Sequence, residues 1–470
     1  MLGVVAPYPW SVRGFSPTEL VRLAPNDSTH PWAGTTELRG VVRRLGSLQV
    51  EVAPLAMDSW YNSAFPYGMN DGAAWAGRGL TLSVLGGATA VWGPASLTIA
   101  PTAFWAQNQR FTLLPIPATG QPTLGEPIWP AQLDRPQRFG TNSYSRIDPG
   151  QSTFLVSLLG VTAGASTANQ WWGPMKVYPF TLGNNAAGFP SVFLGTAAPV
   201  KTRIGRLHGK VLYGRLEQTA YYPERYGRYR FASGAVAILE PRGLPGLELG
   251  ATRFFSLPWP SGGPRRNYYT HLFEVFLKSR IKEFVAPDST APNQSIDNQL
   301  ASVFARWVLP RGGVEVYLEY GREDHNWNLR DLQVEPDHSA AVGVGFRKAW
   351  RRSPSEITGL GVELMNFETP TLARHRAEGL IYLHAYTPQG HTNLGQMLGG
   401  SLGVGSAAAA QVQWDRFTRR GATQVTYNRS VVMQDTLTGN HVRHSFAARR
   451  EQFVRAGTVV RSCLTFVQDL

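Results

Sequence analysis

Hydrophobic and polar residues alternate one by one over much of this chain, and a period of two predicts strands, not helices. Leu48, Val50 and Val52 alternate with Gln49 and Glu51; Leu80, Leu82 and Val84 with Thr81 and Ser83; Leu97 and Ile99 with Ser96 and Thr98. Val303, Ala305 and Trp307 oppose Ser302 and Arg306, while Val425 and Tyr427 oppose Gln424, Thr426 and Asn428. In the clearest run, Val314, Val316, Leu318 and Tyr320 share one face, and Glu315, Tyr317 and Glu319 share the other. Val460, Ser462, Leu464 and Phe466 then oppose Arg461, Cys463 and Thr465 near the C-terminus. Carboxylates turned into the dry core of a sandwich would be expensive. Turned into a wet lumen they cost little. The pattern therefore predicts an all-β fold, a transmembrane antiparallel β-barrel whose tilted strands run to roughly 9–11 residues.

The connections sharpen that reading. Short ones are tight and basic: Arg43-Arg44-Leu45-Gly46, Pro310-Arg311-Gly312-Gly313, Arg351-Arg352-Ser353-Pro354 and Arg419-Arg420-Gly421. Long ones, at 107–150, 164–190, 256–299, 322–338 and 368–402, are rich in aromatic, amide and proline residues. Short periplasmic turns alternating with long extracellular loops are the habit of outer-membrane barrels. Followed forward from Arg419, this parity makes the last strand rise towards the outside, whereas an even-stranded barrel finishes inside. Either the closing strand is missing here or the parity has slipped by one.

Composition narrows the class. Charged residues make up only 16%, with 49 Gly, 14 Trp and 17 Tyr among 470 residues, against about 25% charge in ordinary soluble domains. No apolar run is long enough for a transmembrane helix. The net charge of +13 favours an anionic partner. One cysteine, Cys463, excludes a disulfide framework within the chain and a cysteine-built zinc site. The start, Met1 to Pro7, lacks a secretory signal, which an outer-membrane protein needs, so the signal is taken as removed or missing from the gene model. Ser16 followed by Pro17 opens one short helix. Residues 1–30 read as a periplasmic lead-in and 31–470 as the barrel.

One stretch does not alternate at all. Asn169-Gln170-Trp171-Trp172-Gly173-Pro174 leads into Asn184-Asn185-Ala186-Ala187-Gly188-Phe189-Pro190, a shaped loop of aromatic, amide and small residues. This stretch resembles the capsule assembly Wzi family, in which a WWGP segment precedes a similar asparagine-to-proline run. A second marker is the late glycine-rich loop from Tyr386 to Gly400, and Arg330-Asp331 to Pro336 adds a supporting match. The resemblance covers the chain from about residue 31 onward. It implies an outer-membrane barrel of about 18 strands that acts as a surface lectin, binding capsular polysaccharide and helping to attach it to the cell, without enzymatic turnover or cofactor.

Candidate sugar contacts follow from side-chain chemistry. Trp171 and Trp172 offer flat faces to sugar rings, and Asn169 and Gln170 offer amides to hydroxyls; His391, Asn393 and Gln396 of the second loop could do the same. The alternative for the tryptophans is a structural place in an interfacial girdle or as a wedge in the wall. Arg225, Arg228 and Arg230, and Arg374-His375-Arg376, form basic patches suited to an acidic polymer. The Glu323 to Asp331 run fits no metal-ligand spacing, and no hydrolase, Walker or dinucleotide motif is present. Partners expected are an acidic or other extracellular polysaccharide, outer-membrane lipid and lipopolysaccharide; nucleic acid is not expected, and the chain reads as a monomer. The competing function is a porin or oligosaccharide channel lined by Arg306, Glu315 and Glu319.

Overall fold

The computed structural model describes residues 1–2, 8–14, 30–32, 40–116, 122–222, 227–276, 297–323, 333, 336–337, 339–368, 380–384, 387, 389–400, 406–435, 439–454 and 458–469. Four long strands open the wall, each broken once: Leu48–Val52 with Leu55–Asn62, Gly79–Leu85 with Ala88–Trp92, Ala95–Ile99 with Thr102–Ala106, and Tyr144–Asp148 with Thr153–Leu158. The breaks fall at Pro54, Gly86-Gly87, Pro101 and Pro149-Gly150. Proline cannot donate to a ladder and glycine lets the chain bend.

Thirteen strands follow: Val161–Ser166, Ser191–Thr196, Gly205–Glu217, Tyr229–Pro241, Leu247–Pro258, Asn298–Leu309, Val314–Glu323, Ala340–Ser353, Glu356–Asn366, Ala407–Thr418, Gly421–Asp435, Gly439–Val454 and Thr458–Asp469. Each pairs antiparallel with the next. The last one then pairs in parallel with Leu55–Asn62, from Thr458 opposite Leu55 to Thr465 opposite Asn62. The pairing thus returns to its start. A short strand, Val41–Leu45, lies antiparallel on Leu48–Val52, so one edge of the first long strand is shared between this hairpin and the C-terminal strand. The upward direction read for the last strand from turn parity agrees with its parallel register, since Leu55–Asn62 also rises from a short turn.

Side chains divide as the alternation predicts. Val316 and Leu318 are exposed on the outside, whereas Glu315, Tyr317 and Glu319 are buried within; Leu464 and Phe466 are likewise exposed. Trp92, Trp307, Trp350 and Trp414 are exposed on the outer face towards the short-turn end, where an aromatic belt would meet the lipid interface. No helix among the described residues is long and apolar enough to cross a membrane.

Among the described residues, part of the inside is filled. Two apolar clusters occupy it: one of Tyr178, Phe180, Ile381, Tyr382 and Met397 with Leu300 and Met365 of the wall, the other of Val12, Trp172, Leu182 and Phe189 with Leu212, Val236, Phe254 and Phe304. A third cluster, Phe231, Phe255, Leu257, Tyr268 and Leu272, involves the helix Arg266–Thr270 and the following turn His271–Phe276. The short helix expected at Ser16 lies outside the described residues.

Candidate functional site

Three segments meet inside the ring of strands. Val12 and Arg13 pair with Trp172 and Trp171 as a two-residue antiparallel ladder. Backbone bonds continue the contact, from Gly173 N to Ser11 O at 2.9 Å, from Trp172 N to Leu182 O at 3.1 Å, and from Gly183 N to Leu398 O at 2.8 Å. The WWGP turn depends on its glycine: Gly173 has a φ of +96°, and a Cβ there would lie 2.6 Å from a Glu319 carboxylate oxygen. A side chain at 173 would therefore meet both backbone strain and the wall.

Carboxylates on the wall hold these segments. Glu363 accepts backbone N–H bonds from Lys176 (2.7 Å), Val177 (2.9 Å) and Tyr178 (2.8 Å), and the Tyr317 hydroxyl donates to it at 2.7 Å. Glu248 accepts from the backbone of Trp10 and Ser11 at 3.1 Å each and from the Ser11 hydroxyl at 2.6 Å. Arg306 bridges Glu248 and Glu315, and Lys176 reaches Glu315 at 3.1 Å. Arg306, Glu315 and Glu319 do face inward as their alternation predicts. They do not line open water, because the inner segments cover them; pairing makes burial tolerable for Arg306 and Glu315, whereas Glu319, among the described residues, accepts only the Ser302 hydroxyl, at 2.7 Å.

The seven candidate sugar contacts all lie on these segments. Trp172 is 0% exposed, within the second apolar cluster. Trp171 is half-buried; its Nε1–H donates to Met175 O at 2.8 Å, and the Arg13 guanidinium stacks on its ring at 4.6 Å. Asn169 donates to Gly183 O at 3.3 Å and Ala186 O at 2.7 Å, and Gln170 accepts from Lys210 Nζ at 3.2 Å. His391 is buried against Tyr382, its ring stacked at 5.4 Å, with Nε2–H donating to Thr181 O at 2.6 Å. Burial holds its pKa down at about 4. Asn393 accepts from Glu217 N at 3.0 Å and donates to Ala187 O at 3.2 Å; Gln396 donates to Asn185 O at 3.2 Å. The geometry brings the two marker loops together and gives the polar groups of Asn169, Gln170, Trp171, His391, Asn393 and Gln396 partners within the protein, while the Trp172 indole N–H is buried without one among the described residues.

Other candidates divide. Arg230, read as part of a basic patch, is buried and donates to the carbonyls of Gly390 and Thr392. Arg228 is exposed and pairs with Glu217. Arg225, Arg374, His375, Arg376 and the run 324–331 lie outside the described residues. Among the described residues no cluster could hold a metal ion. Sequence reasoning passed over Glu248 and Glu363, although Leu247-Glu248-Leu249 and Val362-Glu363-Leu364 each place one carboxylate between apolar neighbours, the same signal that marked Glu315.

Comparison with known proteins adds three findings. A family model described as capsule assembly protein Wzi matches residues 70–463. Among solved structures, one described as "Wzi, an outer membrane protein involved in group 1 capsule assembly in Escherichia coli, is a carbohydrate binding beta-barrel" is similar with a TM-score of 0.63 at 12% identity, covering 100% of this chain and 91% of that one. OccK2 (OpdF) of Pseudomonas aeruginosa in complex with glucuronate has a TM-score of 0.41 at 9% identity, covering 83% of this chain and 86% of its own. A BenF-like porin from Pseudomonas fluorescens Pf-5 has a TM-score of 0.40 at 8% identity, covering 90% and 93%. No curated protein sequence matches.

Proposed function

The chain belongs to the capsule assembly protein Wzi family, and on that premise we propose that it is an outer-membrane surface protein that binds capsular polysaccharide and helps to hold the capsule on the cell. The observation that carries this reading is the family match across most of a barrel whose interior is partly occupied by inner segments. An apolar, tryptophan-bearing exterior suits lipid, and a lumen partly packed by inner segments suits a fixed binding platform better than a conduit. The porin reading needs an aqueous path along Arg306, Glu315 and Glu319. Those three are buried beneath the inner segments.

Asn169, Gln170, Trp171, Trp172, His391, Asn393 and Gln396 enter the proposal as the residues that shape and fix the two marker loops beneath the outer mouth. Sugar contact then falls to what these loops and their neighbours present above. The excess positive charge supports an acidic glycan. The protein carries out no turnover in this reading. A deletion strain tests it: capsular polymer should still be made but appear in the medium, and normal cell-bound capsule in that strain would refute the assignment.

A further inference from the structure

The outer wall is low in one sector. Val161–Ser166 and Ser191–Thr196 have 6 residues each, whereas the neighbouring Gly205–Glu217 and Tyr229–Pro241 have 13. At about 3.3 Å per residue, 6 residues span about 20 Å even untilted, short of the about 25 Å apolar band of an outer-membrane barrel. The chain leaves the wall here because residues 167–190 turn inward to fill the lumen. A notch is left outside, beside the tall strands.

That notch is a built groove of about 520 Å³, within the roughly 300–1,000 Å³ range of ligand sites. Its floor includes the outward-facing Ile99, Phe154 and Val192, and its upper side Phe231, Trp259 and Tyr269. The aromatic side is fixed in place. Tyr213 donates from its hydroxyl to Tyr269 O at 2.8 Å, the Phe231 and Tyr269 rings meet at 5.4 Å, and Tyr268 packs on Phe231 at 5.4 Å. The segment bearing Trp259 and Tyr269 thus folds back over the outside of the barrel. Cations are available at this end: Arg215 lines the groove, and Arg265 and Arg266 are exposed on the segment that carries Tyr269.

We infer that this groove seats an acyl chain of lipopolysaccharide, the phosphate-bearing glycolipid of the outer leaflet, with its phosphate met by Arg215, Arg265 and Arg266. An apolar trough open to the bilayer takes a hydrocarbon chain, and arginine forks match phosphate oxygens. The position on the long-loop side puts the cations at headgroup level. The inference rests on the outer-membrane placement proposed above and is independent of glycan binding.

Native mass spectrometry of the full chain in detergent tests it, with three probes: bis-phosphorylated lipid A, the same lipid without phosphates, and phosphatidylethanolamine. The wild type should retain bis-phosphorylated lipid A in preference to both others. Val192→Trp, or Ile99→Trp from another part of the floor, adds bulk to an exposed outward position and should cut retention about tenfold, one decade of affinity. Arg265→Gln with Arg266→Gln should lower the preference for the phosphorylated form by about thirtyfold, the worth of two interfacial cations. Equal retention of phosphatidylethanolamine, or unchanged retention by both tryptophan variants with heat-modifiable gel mobility intact, would overturn the inference. Membrane insertion and glycan retention are measured on the same proteins: failed insertion removes the outer-membrane reading, whereas lost lipid preference with insertion intact removes only this one.

Discussion

Replacing Trp172 by Ala separates a tryptophan that packs from one that grips sugar. The ring is fully buried and belongs to a cluster that joins the inner segments to Leu212, Val236 and Phe254 of the wall. It also fills the space above Gly234, where an added Cβ would come within 2.8 Å of it. Emptying a site of this kind costs about 3–5 kcal/mol, or roughly a 10²- to 10⁴-fold shift in the docking equilibrium of the inner segments. The barrel ladder does not include residue 172, whose strand pairing is with Val12, so the loss should fall on docking and not on the wall. Amide hydrogen exchange reads local opening of this kind. Exchange at residues 176–183 and 391–398 should accelerate by that factor while the heat-modifiable gel mobility of the barrel stays as in wild type. Unchanged exchange together with lost glycan retention would refute the packing argument and return Trp172 to direct sugar contact.

Arg306→Ala should destabilise the protein by about 3–5 kcal/mol, because it leaves Glu248 and Glu315 buried beside each other without their shared cation; thermal unfolding followed on gels checks this, and adding Glu248→Gln with Glu315→Gln should recover most of the loss. Glu363→Gln should weaken at least one charge-assisted bond to the Lys176–Tyr178 backbone, about 1.5–3 kcal/mol, seen as faster exchange at those three amides with little change elsewhere. His391 carries a pH signature: burial, aided by the nearby Arg230, lowers its pKa from 6.5 to about 4 against the opposing bond to Thr181. The unfolded segment then binds more protons than the folded one, so docking should weaken as pH falls from 6.5 and level off below 4, and His391→Gln should flatten that slope in exchange measured against pH.

The wall was legible where its inner face is polar. Val314 to Glu323 and Thr458 to Asp469 show a period of two because one side meets lipid and the other meets charged or hydroxyl groups. The strands Gly205–Glu217, Tyr229–Pro241 and Leu247–Pro258 gave no such signal. Their inward residues Leu212, Val236, Ile238 and Phe254 pack on the inner segments while Tyr213, Ala235 and Phe255 look outward, so both faces are apolar and the alternation disappears. The same cause explains the reading of the tandem tryptophans as candidate sugar contacts. Periodicity separates inside from outside; it does not say whether water or protein fills the inside.

A carboxylate facing inward is compatible with either filling, and its partners decide between them. Glu248 and Glu363 spend their oxygens on backbone N–H groups of segments far away in sequence. A water-lined channel offers no reason to place an acceptor where three successive amides converge. A plug does, because those amides lie in an irregular loop and need acceptors away from bulk water. Glu363 therefore anchors the loop that carries the first family marker, Glu248 anchors the N-terminal segment paired with that loop, and the platform proposed for polysaccharide is as rigid as those few bonds make it.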